Sequence, residues 1–307
     1  MWSRRLAELV NRHGKGNIRA IPVSIDLFSF FNNILFIIKA ECLVRVGFRP
    51  GVFRPNGILF DVLWLIVVAL NSNARVFYYW TGSDVMKATE DYHGSTSFLS
   101  RWFFARSKKV LHIAAAPRLA DELKLIGLPA KNVLFPSHTL SPSRPPPFLD
   151  KFAILSYIPD KRYQFYGGEE IYQAAKALPK ITFHIVAGEG SWVKVPLPNL
   201  LFHGWQPDMV PYYELSTVVV RLVLHDALGG TVREGLSFAR HIIYSYSLPF
   251  SQKVSWGDTD GLITSLESLY EQKCAGTLCL NSVGRDYANE YFDEEKLTHN
   301  LISTILG

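Results

Sequence analysis

The sequence predicts an α/β protein built of two parallel-sheet domains. Short apolar runs alternate with helix-length amphipathic stretches, the pattern of strands joined by crossover helices. The chain has 307 residues, and domains of about 100–200 residues make two the natural division. Five of the twelve residues from Pro136 to Pro147 are proline. Proline cannot continue a helix or a central strand, so this stretch reads as a linker. The expected layout is a first domain over 1–140, a second over 150–285, and a terminal segment, 286–307, whose helix packs back on the first domain.

In the first domain, residues 2–13 form an amphipathic helix pattern and Arg19–Ile25 a short strand. A helix follows through the residue-30s, then a longer one at about 57–71. Arg75–Tyr79 is a strand ending in Trp80-Thr81-Gly82-Ser83-Asp84, and Val110–Ala115 another. A helix over 118–127 and a strand at Asn132–Phe135 close the domain.

The second domain restarts the alternation. Phe152–Tyr157 is a strand, Gly168–Leu178 a helix, Ile181–Ala187 a strand and Asn199–His203 a short strand. Met209–Leu215 is a short helix, Val218–Leu224 a strand, Thr231–Phe238 a helix and His241–Tyr244 a strand. Residues 260–274 and Asp286–Ile305 are the last two helices. No internal repeat or low-complexity tract interrupts the pattern.

Composition narrows the function classes. The chain is 48% hydrophobic and 19% charged, with mean hydropathy +0.09, which is material for two cores and excludes a mostly disordered chain. Cys42, Cys274 and Cys279 are too few and scattered for a disulfide framework, so a reduced, cytoplasmic chain is expected. Four residues separate Cys274 from Cys279 and no second pair accompanies them, so no metal site is expected. Apolar stretches at 27–38 and 57–70 are interrupted by Asn32, Asn33 and Asp61. Both fall short of the about 20 residues a spanning helix needs.

The net charge of +5 conceals an asymmetry: residues 1–150 carry 19 Lys and Arg against 10 Asp and Glu, and the remainder 13 against 17. A basic first half suits an anionic partner such as phosphate or an acidic membrane surface. No nucleic-acid-binding motif accompanies the charge, so no nucleic-acid partner is expected. Trp102-Phe103-Phe104-Ala105-Arg106-Ser107-Lys108-Lys109 interleaves aromatic and basic residues. It suits a membrane interface, or a helix that buries its aromatics and leaves its basic residues solvated.

The segment from Arg221 to Ser245 concentrates the chemistry. It reads strand, glycine-containing turn, helix, strand, with Gly229 and Gly230 just before the helix. The unpaired N–H groups and positive dipole end of such a helix favour a phosphate. Asp226 and Glu234 can both face the crevice beyond the strand ends, where open α/β sheets bind ligands. The plainer reading is a tight turn and a favourable helix-dipole contact.

This segment resembles the signature of retaining GT-B glycosyltransferases, chiefly of family 4: an acidic residue, seven residues, then Glu. Here it stands as Asp226-x7-Glu234 followed by Gly235-Leu236-Ser237-Phe238-Ala239-Arg240-His241-Ile242-Ile243. The strand and helix opening the second domain, the run FHIVAGEG and the turn NLLFHGW at 199–205 occur in the order that family requires. The resemblance covers 150–307 well and 1–150 in outline.

It implies two Rossmann-like domains, with the first lacking its usual opening strand. It implies transfer of a sugar from a nucleotide-sugar donor, with retention and without a metal cofactor. The acceptor would be lipid-linked or a polysaccharide, at the inner membrane face. The alternative is a nucleotide-sugar-binding partner subunit without catalysis of its own. By the same resemblance Glu234 would hold the ribose and Asp226 lie near the donor sugar. Gly229, Gly230 and Thr231 would offer N–H groups to the diphosphate or sugar, Gly204 and Trp205 would meet the nucleobase, and Lys161 and Arg162 would contact the diphosphate. His225 joins the site as the neighbour of Asp226. Trp80, Gly82 and Ser83 would line the cleft, with Asp84 either orienting a hydroxyl there or capping its helix. Asp in place of Glu at 226 and Ala in place of Gly at 239 depart from the family pattern.

Overall fold

The computed structural model describes residues 2–14, 16, 18–23, 27–47, 64, 66, 68, 69, 71, 73–94, 110–137 and 139–307. The aromatic–basic run at 102–109 lies outside them, as does most of the helix expected at 57–71. Trp64, Ile66, Val68 and Ala69 are helical. The chain divides into two compact units, Met1–Ser137 with Glu294–Gly307, and His138–Asp293.

The first unit holds a four-stranded parallel sheet in the order β1-β2-β3-β4, formed by Cys42–Val46, Arg75–Trp80, Leu111–Ala114 and Ala130–Asn132. Helix α1 (Trp2–His13) opens it, and α2 (Leu27–Lys39), α3 (Ser83–Gly94) and α4 (Pro117–Leu125) follow. Strand β2 drives its last four residues, Phe77 to Trp80, into the core. Burying each such side chain contributes roughly 1.5–3 kcal/mol. The polar ends of the aromatics are matched, since Tyr79 Oη donates to Val133 O at 2.9 Å and Trp80 Nε1 to His112 Nδ1 at 3.0 Å.

Two expectations for this unit are corrected. Arg19–Val23, the described part of the expected strand, is not a strand. The Asn11 side chain takes both polar groups of Ala20, accepting its N–H at 2.7 Å and donating to its carbonyl at 2.9 Å, and Pro22 has no N–H to give a ladder. The edge strand is instead Cys42–Val46, paired in register with Arg75–Tyr79. The expected strand at Asn132–Phe135 ends at Asn132.

The second unit holds six parallel strands: β5 (Ala153–Tyr157), β6 (Thr182–Val186), β7 (Leu200–Phe202), β8 (Val218–Arg221), β9 (His241–Tyr244) and β10 (Gln252–Lys253). Their order is β10-β9-β8-β5-β6-β7. The chain therefore begins in the middle, winds outward to β7, then returns to the other side of β5. This is the doubly wound Rossmann order, and its switch point lies between β5 and β8. Helices α5 (Gly168–Ala177), α6 (Val210–Leu215), α7 (Gly230–Ser237), α8 (Thr259–Cys274) and α9 (Ser282–Tyr291) accompany the sheet. Ile154, Ile171, Phe183, Val218, Val220 and Leu266 are at its core.

The helix expected over Asp286–Ile305 is two helices. Helix α9 stops at Tyr291, and α10 spans Glu294–Leu306 within the first unit. There α10 packs on α1, with Arg12 Nη1 on Glu294 Oε1 at 3.1 Å and His299 Nε2 3.1 Å from His13 O. Among the described residues, no helix is long and apolar enough to cross a membrane.

Candidate functional site

The switch point of the second sheet is built by the loops that leave β5 and β8. Arg221 is the last residue of β8, after the buried run Val218–Val220. Its Nε donates to Asp226 Oδ2 at 2.6 Å, and both side chains are largely buried. The same oxygen accepts from the Gly229 N–H at 3.0 Å and from Tyr244 Oη at 3.2 Å, while Oδ1 accepts from the Ala227 N–H at 3.1 Å. Burial pushes the Asp226 carboxyl up, but the Arg221 charge, with the hydrogen bonds, holds it below the usual carboxylate range. Asp226 therefore organises the turn that leads into α7.

Two glycines make close approaches at this crossing. A side chain at Gly229 would place Cβ 2.3 Å from Arg221 Nε, so the guanidinium lies close against the backbone there. Gly167, at φ +67°, would place Cβ 2.6 Å from Leu222 Cβ. That close approach joins the β5 and β8 loops, which also share a hydrogen bond from Leu224 N to Phe165 O at 3.0 Å.

Helix α7 begins at Gly230 beside the Arg221 guanidinium; the N–H groups of Val232 and Arg233 bond Gly229 O, and those of Gly230 and Thr231 have no acceptor within the helix. Open space surrounds the position a Gly230 side chain would occupy. One turn on, Glu234 Oε2 accepts from Tyr213 Oη of α6 at 2.5 Å. Burial and the Glu234 charge raise the Tyr213 hydroxyl well above its ordinary pKa, so it stays a donor. On the β5 side the Arg162 guanidinium carbon lies 4.1 Å from the Phe165 ring centroid and 5.5 Å from that of Tyr166. Arg221 lies 5.4 Å from the same Tyr166 ring. Lys161 occupies the same single turn as Arg162, Asp160–Arg162.

Asp160 ties two loops together. Its carboxylate accepts from the N–H groups of Glu189 and Gly190, at 3.0 and 2.9 Å, after β6. The next turn follows β7. Gly204 sits at φ +64° with its N–H on Gly188 O at 3.1 Å, and Trp205 is 75% exposed. Just before it, His203 Nε2 lies 3.0 Å from His184 Nδ1, and burial lowers the pKa of both imidazoles.

The structure thus brings Arg162, Asp226, Gly229, Gly230, Thr231 and Glu234 to the carboxyl ends of β5 and β8, and sets Gly204 and Trp205 beyond β7. His225 is buried beside Asp226. Arg221, Asp160, Tyr213 and Tyr244 escaped the sequence reading. Arg221 has a local signal, a lone cation inside the apolar run Val218–Leu224, whereas the other three are identified by partners 18 to 30 residues away in sequence.

The first-unit candidates behave differently. Trp80 is 0% exposed and bonded to His112, because β2 runs on through it into the core of the first unit. Gly82 is buried and Ser83 exposed. Asp84 folds back to accept from the N–H groups of Thr81, Gly82 and Val85 at 2.7–3.1 Å, as a capping residue does. Burial raises its carboxyl to about 6 against the opposing pull of those bonds.

No model of a known protein family matches the chain, and neither does any curated protein sequence. Solved structures do match. Anabaena HepE, solved in complex with UDP and glucose, superposes with TM-score 0.69 at 12% identity, over 97% of this chain and 88% of that one. A glycosyltransferase from Rickettsia africae gives 0.61 at 12% identity, over 96% and 86%. TarM gives 0.59 at 14% identity, over 77% of this chain.

The fold is GT-B.

The chain spans about half the length of TarM, 51% of it being covered. In the GT-B fold the β5–β10 sheet is the second Rossmann-like domain and the β1–β4 sheet belongs to the first. Identities of 12–14% establish this architecture and nothing of the chemistry it hosts.

Proposed function

We propose that this GT-B chain is a glycosyltransferase using a nucleotide-sugar donor, bound at the β5–β8 switch point. One observation carries the reading: Glu234, the N-terminus of α7 and two arginines converge on the crevice where a doubly wound sheet takes its ligand. A nucleoside diphosphate suits that set. The carboxylate pairs with ribose hydroxyls, and the helix N-terminus and guanidinium groups pair with phosphate. Fixed cations and dipoles stabilise the diphosphate as its bond to the anomeric carbon breaks, without a metal. The UDP held by HepE supports a uridine donor here.

The finer reading is a hexosyl transfer with retention, to a lipid-linked or polysaccharide acceptor, by a cytoplasmic protein peripheral to the inner membrane face. It rests on the Asp226-x7-Glu234 spacing and the basic first 150 residues. Commitment of the Asp226 carboxylate to Arg221 favours a second reading, a nucleotide-sugar-binding partner subunit without its own turnover.

Calorimetric titration with UDP and GDP tests the binding, and release of the nucleotide from UDP- and GDP-sugars tests turnover. Binding with turnover supports the enzyme, and binding without turnover the partner subunit. Binding of neither nucleotide overturns both.

A further inference from the structure

We infer that Arg221 is a diphosphate-binding residue of the donor site, and that Asp226 acts through it as a positioning residue; this rests on the nucleotide-sugar reading above.

A charge at the end of a buried strand is costly unless it is paired. Asp226 pairs only one edge of the Arg221 guanidinium, through Nε. Four of its five N–H donors lie on the two Nη atoms. Among the described residues, the Thr231 hydroxyl, 3.5 Å from Nη1, is the one protein group those Nη atoms reach. The side chain keeps 11% of its surface exposed.

That open edge faces the start of α7. The guanidinium lies against Gly229, where an added Cβ would be 2.7 Å from Nη2. Thr231, which Nη1 approaches, is in the first turn of the helix. The Gly230 and Thr231 N–H groups, which have no intrahelical acceptor, and a guanidinium fork thus stand side by side, and the space at Gly230 is open. Arg162 stands at the same Tyr166 ring, so a second guanidinium borders the crevice beside Arg221. A planar fork beside N–H groups matches two phosphate oxygens bidentately.

Asp226 then has a definite task. Its bonds to Nε, to the Gly229 N–H and to Tyr244 fix the fork relative to the helix start. A fork held in place before binding loses little rotamer freedom on meeting the ligand.

The test compares UDP by calorimetry with uridine by ligand-detected NMR, for wild type, Arg221→Gln, Arg221→Lys and Asp226→Asn. GDP and guanosine replace them if wild type prefers GDP. Arg221→Gln is expected to weaken UDP binding about 10- to 100-fold, the range of a charge-assisted hydrogen bond, and to leave uridine binding unchanged. Arg221→Lys keeps the charge but loses the fork, and should recover part of the loss. Asp226→Asn should weaken UDP about 3- to 10-fold, again sparing uridine. A merely structural ion pair predicts equal losses for UDP and uridine, and that result, or no loss of UDP in either arginine variant, overturns the inference. If Arg221→Gln does not fold, Arg221→Lys decides by the same comparison. Wild type that binds neither nucleotide overturns the nucleotide-sugar reading itself, a failure distinct from a wild type that binds UDP without using Arg221.

Discussion

Tyr213 Oη donates to Glu234 Oε2 at 2.5 Å, from a fully buried ring on α6 to the carboxylate on α7. The bond fixes the orientation of the acid proposed to hold the ribose. Tyr213→Phe keeps the ring beside Phe238, with centroids 5.0 Å apart, so the fold should survive with a loss of about 1 kcal/mol. UDP affinity should fall about 3- to 10-fold, up to ~1.4 kcal/mol. Unchanged affinity by calorimetry would separate the bond from the site.

Glu234→Ala removes the carboxylate itself. The expected loss of UDP affinity is about 10- to 100-fold, the value of a charge-assisted contact to ribose. Glu267→Ala, on the exposed face of α8, is the control. Equal effects of the two substitutions would remove Glu234 from the binding site.

Neighbouring glycines should respond in opposite ways. Gly229→Ala drives a methyl group into the Arg221 guanidinium, and overpacking of this kind costs about 1–3 kcal/mol. Gly230→Ala meets open space on the protein side, and stability should change by less than about 0.5 kcal/mol. If a diphosphate approaches that backbone, Gly230→Ala nevertheless weakens UDP. Thermal melts paired with titrations read both effects, and a Gly229→Ala protein as stable as wild type would contradict the packing argument.

The His184–His203 pair sets a pH dependence. Burial holds both imidazoles below the ordinary 6.5, and His203 adds to the effect on His184. The unfolded chain therefore takes up protons near pH 6.5 that the folded chain refuses. The pair's contribution to stability is complete above about 6.5 and is lost as pH falls below it. Wild type should lose melting temperature from pH 7 to pH 5 more steeply than a His184→Gln/His203→Gln variant. Parallel slopes would show that the pair titrates normally.

The basic first half leads to a membrane experiment. Each Lys or Arg near an anionic surface contributes about 1 kcal/mol, so Arg106, Lys108 and Lys109 together supply roughly 3 kcal/mol. Trp102 and Phe103 add an apolar term that salt does not screen. The protein should co-sediment with phosphatidylglycerol-rich vesicles, less so at about 0.5 M salt. Replacing the three cations with Glu should remove most binding while UDP affinity holds. Wild type that ignores such vesicles at low salt points to a soluble acceptor or a protein partner.

The second domain was legible because its signals are local. Runs such as Phe152–Tyr157 and Val218–Leu224 are apolar enough to be strands in any parallel sheet, and the spacing of Asp226 and Glu234 is written along one turn and helix. Strand ends were less so: β8 stops at Arg221, where the chain turns to bury its guanidinium against Gly229. The edge strand Cys42–Val46 escaped notice because an edge buries little, with only Leu43 of its five residues fully buried. Residues 19–23 carry strand-like composition, yet the amide of Asn11 claims the backbone of Ala20.

By itself the sequence determined the α/β alternation and the acidic pair, because strand and helix periods and a turn's glycines are properties of neighbouring residues; the doubly wound order of the second sheet is set by which strands pair. Only the tertiary structure decided what the acids do. Asp226 meets Tyr244 and Glu234 meets Tyr213 across 18 and 21 residues of chain. A carboxylate's partner is set by which elements pack together, and that packing is not written in local spacing.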